Sequence, residues 1–145
     1  MDGKMKVAVM NGIGKMGFEE RDIPTPKADE VLVKLDYVGI CGSDLHYYEQ
    51  GAIGDFKVSF PFVLGHEAAG TVVEIGEGVT DLAVGDRVAM EPGKTCGQCI
   101  YCKPAGTTYA LMWNSLPRLP LTGCSVNMWP IRQACASVCR KIWIL

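Results

Sequence analysis

The 145-residue sequence predicts a mainly β fold, and a closed barrel that hides its strand edges is the expected architecture. Short runs rich in valine and other apolar residues recur as far as residue 91. Glycine, proline and aspartate separate these runs, and no strong helical periodicity precedes residue 92. A chain of this length is long enough to form one domain with a hydrophobic core.

The predicted strands follow one another at short intervals. The first is KVAVM at 6–10, and the second is EVLVKLDYVGI at 30–40, in which apolar residues alternate with polar or small ones. EAAGTVVEIG at 67–76 and DRVAME at 86–91 complete the set. Four such runs with turn residues between them are typical of a mainly β fold.

Composition excludes several classes of function. The formal charge is −2, so no basic excess indicates nucleic acid or an anionic membrane as partner. No 18-residue apolar run predicts a membrane span, and the apolar run near the N-terminus is too short for a signal peptide. We therefore expect a cytoplasmic protein. In that compartment seven cysteines indicate metal ligands or free thiols before disulfides.

The composition changes after Lys103. No aspartate or glutamate follows that residue, and all three tryptophans lie beyond it. A globular segment of such length without a carboxylate is improbable at ordinary residue usage. The sequence is therefore divided into residues 1–103, expected to form the barrel, and a tail of residues 104–145, expected to be poorly ordered.

GIGKMG at 12–17 matches the dinucleotide fingerprint G-x-G-x-x-G letter for letter. That fingerprint requires a strand before it and a helix after it. The following FEERDIPTP contains two prolines, which oppose a long helix. A β-hairpin turn explains these glycines better than a nucleotide site.

GICGSDLHYYEQG and LGHEAAGTVVEIGEGV supply a thiol, an imidazole and a carboxylate in Cys41, His66 and Glu67. Taken singly, each has an ordinary structural explanation as a buried cysteine or a satisfied His-Glu pair. Together they fit catalytic zinc, which commonly has three protein ligands and an open position, and acts as a Lewis acid on an alcohol oxygen. Ser43 can then relay the alcohol proton and His46 can pass it to solvent.

CGQCIYC at 96–102 spaces Cys96, Cys99 and Cys102 by two residues each, which indicates a metal loop. Ferredoxin-like iron–sulfur ligation shares this spacing but continues with x3 and Cys-Pro, and here position 106 is glycine. Three unligated thiols are the remaining alternative. Tetrahedral zinc needs a fourth ligand that the loop does not supply.

GHEAAGTVVEIGEGV resembles the signature of the zinc-containing alcohol dehydrogenases. GICGSD, GDRV and CGQCIYC occur in that family's order and at about its spacing, and HYYEQGAIGDFKVSFPFVLGHE is most similar to the polyol (sorbitol/xylitol-type) branch. The resemblance covers roughly residues 5–103. It implies a GroES-like catalytic barrel of the medium-chain dehydrogenases, and oxidation of a secondary alcohol, polyol to ketose, with hydride transfer to NAD. Full-length members are oligomeric and carry a Rossmann domain, which we expect this chain to lack.

The resemblance also implies roles for particular residues. Catalytic zinc would be held by Cys41, His66 and Glu67. Ser43 would lie beside the reacting hydroxyl, and Tyr47 and Phe56 would face the substrate. Structural zinc would be held by Cys96, Cys99 and Cys102, because they fall on three of the family's four structural-zinc cysteines.

The family's fourth cysteine falls at position 110, where this sequence has Ala110. Codons can be chosen for residues 107–130 so that the neighbouring reading frame spells a family-like segment, with the cysteine across the codons of Tyr109 and Ala110. We therefore expect a shift of reading frame between about Lys103 and Thr107, and an impaired structural zinc site.

The resulting expectation is a truncated polyol dehydrogenase that is inactive because NAD would bind to a missing domain. The alternatives are a stand-alone zinc-binding module without catalysis and a misfolded pseudogene product.

Overall fold

The computed structural model describes residues 3–90 and the backbone of four later strand segments. Within residues 3–90 the elements are β1 (Lys4–Gly12), β2 (Lys15–Asp22), β3 (Glu30–Gly39), α1 (Gly42–Gln50), β4 (Ala52–Ile53), β5 (Phe56–Lys57), β6 (Glu67–Ile75) and β7 (Arg87–Met90). The later segments are β8 (Gly93–Lys94), β9 (Asn114–Ser115), β10 (Met128–Arg132) and β11 (Ala136–Val138). The prediction of a mainly β fold is confirmed.

The main sheet is antiparallel, with strand order β10-β3-β6-β7-β11. Its central pair is β3 and β6, whose register extends from Val31 opposite Ile75 to Gly39 opposite Glu67. The register shifts between Leu32 and Val33 and between Leu35 and Tyr37. This pair therefore connects the hydrophobic core at one end with the chain around residue 67 at the other.

Valine side chains dominate the core. The fully buried members come from β1, β3, β6 and β7, because alternate residues of a strand face the same side of the sheet. The cluster consists of Val7, Val9, Val31, Val33, Val63, Val72, Leu82, Val88 and Met90. Burying a valine completely stabilises the fold by about 1.5–3 kcal/mol relative to leaving it exposed, so each valine of this cluster contributes on that order.

A close approach between β3 and β6 requires glycine at position 70. A Cβ built on Gly70 would overlap the carbonyl oxygen of Lys34 and lie 2.8 Å from a methyl group of Val33. The glycine is therefore needed for packing between strands.

The GIGKMG motif forms the turn between β1 and β2. The two strands pair from Lys4 opposite Asp22 to Gly12 opposite Lys15, which leaves Ile13 and Gly14 as the loop. Gly14 has φ +67, the left-handed region that glycine adopts without strain. A strand and not a helix follows the motif, so the hairpin interpretation is confirmed.

The sequence shows no strong helical periodicity before residue 92, yet the structure has helix α1 in that region. The helix has nine residues, and the one among them that is buried is the acidic residue Asp44. Because the helix lacks a buried apolar face, it produces no apolar periodicity to detect. Within the part of the chain that the structure describes, no helix has the length and apolar character needed to span a bilayer.

Candidate metal centre

The ends of β3 and β6 meet at one edge of the main sheet. Gly39, the last residue of β3, is paired with Glu67, the first residue of β6. Cys41 follows β3 as the N-cap of α1, with extended backbone angles, and His66 directly precedes β6. The antiparallel register therefore places two stretches that are distant in sequence next to each other.

Three potential ligands converge at this edge. The Cys41 sulfur, a ring nitrogen of His66 and a carboxylate oxygen of Glu67 all lie within 4.8 Å of one another. Cys41 and His66 are half-buried, and Glu67 is exposed. Zinc takes sulfur at about 2.3 Å and nitrogen or oxygen at about 2.0–2.2 Å, so small side-chain adjustments bring all three donors onto one ion. A thiolate, an imidazole and a carboxylate form a donor set that suits zinc.

Asp44 forms hydrogen bonds with both chain segments that carry the triad. Its side chain is 7% exposed. Oδ2 accepts a hydrogen bond from the backbone N–H of Cys41 at 2.9 Å, and Oδ1 accepts one from the N–H of Gly65 at 3.1 Å. Oδ1 also lies 3.4 Å from Nδ1 of His66. A carboxylate behind a metal-binding histidine fixes the ring orientation, and here it leaves Nε2 toward the triad.

Asp44 was not among the site residues predicted from the sequence. The available signal was the spacing Cys41-x-x-Asp44, because an acidic side chain three residues after an N-cap commonly accepts the N-cap backbone N–H. The second half of its function, the bond from Gly65, depends on tertiary structure. No local pattern predicts it.

The two residues predicted to transfer a proton both lie on α1. The Ser43 hydroxyl is 3.5 Å from Nε2 of His66, so the structure brings Ser43 to the triad. His46 is three residues further along the helix and exposed. Residues three apart share a helix face, so Ser43 and His46 lie on the same face of α1, with Ser43 near the triad and His46 exposed to solvent.

The two residues predicted to face substrate lie in different environments. Tyr47 is half-buried on α1, and its ring packs against Phe62 with centroids 5.9 Å apart and planes tilted by 55°. Phe56 lies on β5, in the small hairpin that follows the helix, and is 52% exposed. Their roles remain predictions.

The predicted structural zinc site lies outside the described residues. Cys96, Cys99 and Cys102 fall in a stretch whose structure is not described, so their metal binding remains a prediction.

The structure is thus a mainly β domain with three potential zinc ligands at one sheet edge. The chain belongs to the alcohol dehydrogenase GroES-like domain family, which matches residues 27–128. The predicted fold class and family are thereby confirmed. The match extends past Lys103, into the segment for which a shift of reading frame is expected. Proteins similar to this chain include sorbitol dehydrogenases, a zinc-binding dehydrogenase bound to NADP and an alcohol dehydrogenase complexed with NADH.

Curated relatives place the chain beside polyol dehydrogenases. The sorbitol dehydrogenase of Bacillus subtilis (strain 168) is 45% identical over 129 residues, which are 89% of this chain and 36% of the relative. The sorbitol dehydrogenase of Gallus gallus is 50% identical over 101 residues, which are 70% of this chain and 28% of the relative. The chain thus matches 36% of the length of the first relative and 28% of the second.

Solved structures agree with the fold. The cobalt- and zinc-bound thermostable alcohol dehydrogenase from Pyrobaculum aerophilum superposes with a TM-score of 0.82 at 26% identity. The superposition covers 97% of this chain and 43% of that chain.

Proposed function

We propose that this chain carries the catalytic zinc site of a polyol-type alcohol dehydrogenase, with Cys41, His66 and Glu67 as the ligands. The observation that carries the proposal is the convergence of these three donors within 4.8 Å. The buried carboxylate of Asp44 supports it, because it holds the backbone on both sides of the triad. Zinc, when bound, supplies the Lewis acidity that makes an alcohol easier to deprotonate.

The reaction we propose for the complete protein is oxidation of a secondary alcohol of a polyol to a ketose, with hydride transfer to NAD. Names of relatives such as sorbitol dehydrogenase support the substrate class. Ser43, near His66, relays the hydroxyl proton, since its oxygen accepts that proton as its own hydroxyl proton is released, and exposed His46 on the same helix face passes the released proton to solvent. Tyr47 and Phe56 bound the substrate in this proposal.

We further propose that the 145 residues alone bind zinc without oxidising polyols. The resemblance assigns the dinucleotide site to a Rossmann domain, and GIGKMG forms a hairpin turn instead of a nucleotide loop. The compartment proposed is the cytoplasm, because seven cysteines fit metal ligation in a reducing environment.

Cobalt titration tests the metal site. Cobalt(II) can replace zinc, and its near-ultraviolet thiolate absorption grows with the number of thiolates bound. We expect Cys41→Ser to remove a one-thiolate component and to leave any absorption from Cys96, Cys99 and Cys102. Glu77→Gln, which changes an exposed carboxylate in the loop after β6, is the matched control for Glu67→Gln. A spectrum unchanged by Cys41→Ser and Glu67→Gln would contradict the proposal.

An assay of NAD reduction with sorbitol and zinc tests the proposal that the 145 residues alone do not oxidise polyols. We expect no turnover by the 145-residue chain. Turnover would overturn the proposed inactivity. Cobalt binding without turnover is also the behaviour of the alternative, a non-catalytic zinc-binding module. The assay must therefore be repeated with the domain that follows in the relatives fused to this chain, where turnover favours the dehydrogenase.

A further inference from the structure

Helix α1 carries Cys41 at its N-cap and Ser43 in its first turn, and its apolar packing involves half-buried side chains such as Tyr47, which lies against Phe62. Asp44 is its one buried residue among nine. A helix of this length is marginal in isolation and depends on tertiary contacts. Polar contacts at its two ends therefore help to fix its position. Asp44 provides the contacts at the N-terminal end.

The hairpin turn between β1 and β2 provides the contacts at the C-terminal end. The last carbonyl groups of a helix have no partner within the helix. The carbonyl of Tyr48 accepts a hydrogen bond from the N–H of Gly14 at 2.8 Å. In return, the Tyr48 hydroxyl donates to the carbonyl of Gly14 at 3.0 Å. One tyrosine thus holds both backbone polar groups of Gly14.

Packing at the same place supports this arrangement. Gly51, the C-cap of α1, is buried, and a Cβ built on it would lie 3.2 Å and 3.3 Å from two side-chain carbons of Ile13. Ile13 therefore covers the end of the helix. Gly14 has φ +67, and a Cβ on it would meet no atom within 4 Å, so this position requires glycine for its backbone conformation alone.

We propose that the turn formed by residues 12–15 is a positioning element for the metal centre, and that Tyr48 is a positioning residue. The turn caps the C-terminal end of α1 and thereby fixes the helix whose other end presents Cys41 and Ser43 to His66. The GIGKMG motif, which matches the dinucleotide fingerprint, here donates a backbone hydrogen bond to a carbonyl group of α1. This inference rests on the proposed zinc site.

The closest control for Gly14→Ala is Gly54→Ala. Gly54 has φ +57 and equally open space around a built Cβ, but it lies in the turn between β4 and β5. Both substitutions introduce similar backbone strain. We expect Gly14→Ala to weaken the cobalt binding that depends on Cys41 by about five- to tenfold relative to Gly54→Ala. Hydrogen exchange of the α1 amides in the metal-free chain should accelerate in Gly14→Ala only.

Tyr48→Phe removes the hydroxyl without changing the backbone, and gives a second comparison if Gly14→Ala does not fold. We expect it to weaken the same cobalt binding by about threefold, while Tyr37→Phe, at an exposed tyrosine on β3, leaves it unchanged. Equal cobalt affinities for each variant and its control, with equal exchange of the α1 amides, would overturn the positioning role and leave the zinc site standing. Cobalt binding that does not depend on Cys41 would overturn the proposed function and the positioning role together.

Discussion

Replacing Asp44 by asparagine is expected to weaken both the fold and the metal centre. The carboxylate accepts two backbone hydrogen bonds, from Cys41 at 2.9 Å and from Gly65 at 3.1 Å, and is 7% exposed. Hydrogen bonds to a charged group contribute about 1.5–3 kcal/mol each. Asparagine retains one acceptor oxygen and turns its NH₂ group toward a backbone donor, so one bond is lost and the other becomes neutral. We expect the free energy of unfolding to fall by about 2–4 kcal/mol.

The effect on metal binding follows from the same contacts. Asp44 Oδ1 lies 3.4 Å from Nδ1 of His66, and loss of a carboxylate behind a metal-binding histidine typically lowers metal affinity by about 10- to 100-fold. Urea unfolding of the metal-free chain measures the first effect, and cobalt titration measures the second. Asp36→Asn is the matched control, because Asp36 accepts a hydrogen bond from Thr71 at an exposed position on the sheet. The reasoning is refuted if Asp44→Asn and Asp36→Asn have the same unfolding free energy and the same cobalt affinity.

Three further outcomes are expected. Gly70→Ala should lower the free energy of unfolding by about 1–3 kcal/mol or more, measured by urea titration, because the added methyl group overlaps the Lys34 carbonyl; an unchanged midpoint would contradict this packing. Chelation should lower the melting temperature of the wild-type chain more than that of His66→Ala, since zinc at 100 times its Kd stabilises the folded state by about 2.7 kcal/mol; equal shifts would argue against zinc at the triad. Resequencing of the coding DNA should show that the neighbouring frame continues a family-like sequence after about Lys103; an unbroken frame with codons that cannot give that reading would exclude a shift.

The strands could be predicted from sequence where one face is buried. The runs at 6–10, 30–40, 67–76 and 86–91 coincide with β1, β3, β6 and β7, whose alternate residues form the valine core. Strand β2 was not predicted, because its sequence KMGFEERD is mostly charged and its side chains are exposed or half-buried. Helix α1 was not predicted, since its buried residue is an aspartate and no apolar stripe marks its face.

The residues of the candidate site could also be predicted only in part from the sequence. The chemistry of Cys41, His66 and Glu67 could be recognised from residue types and spacing, because zinc uses few kinds of ligand. The contribution of Asp44 and of the 12–15 turn could not, because both act through backbone groups distant in sequence. A sequence pattern identifies side-chain types, whereas these backbone contacts depend on the tertiary structure.

The ladder between β3 and β6 has a consequence for redesign of this domain. Its last pair, Gly39 with Glu67, includes a member of the triad, and the register shift between Leu35 and Tyr37 lies between the core and that pair. Each residue of an antiparallel strand spans about 3.4 Å. Deleting one residue of β3 beyond Leu35 would displace Cys41 relative to Glu67 by about that distance, which exceeds the length of any zinc–ligand bond. Grafting this centre onto another barrel therefore requires the recipient to match the strand length on both sides, and not only the three ligands.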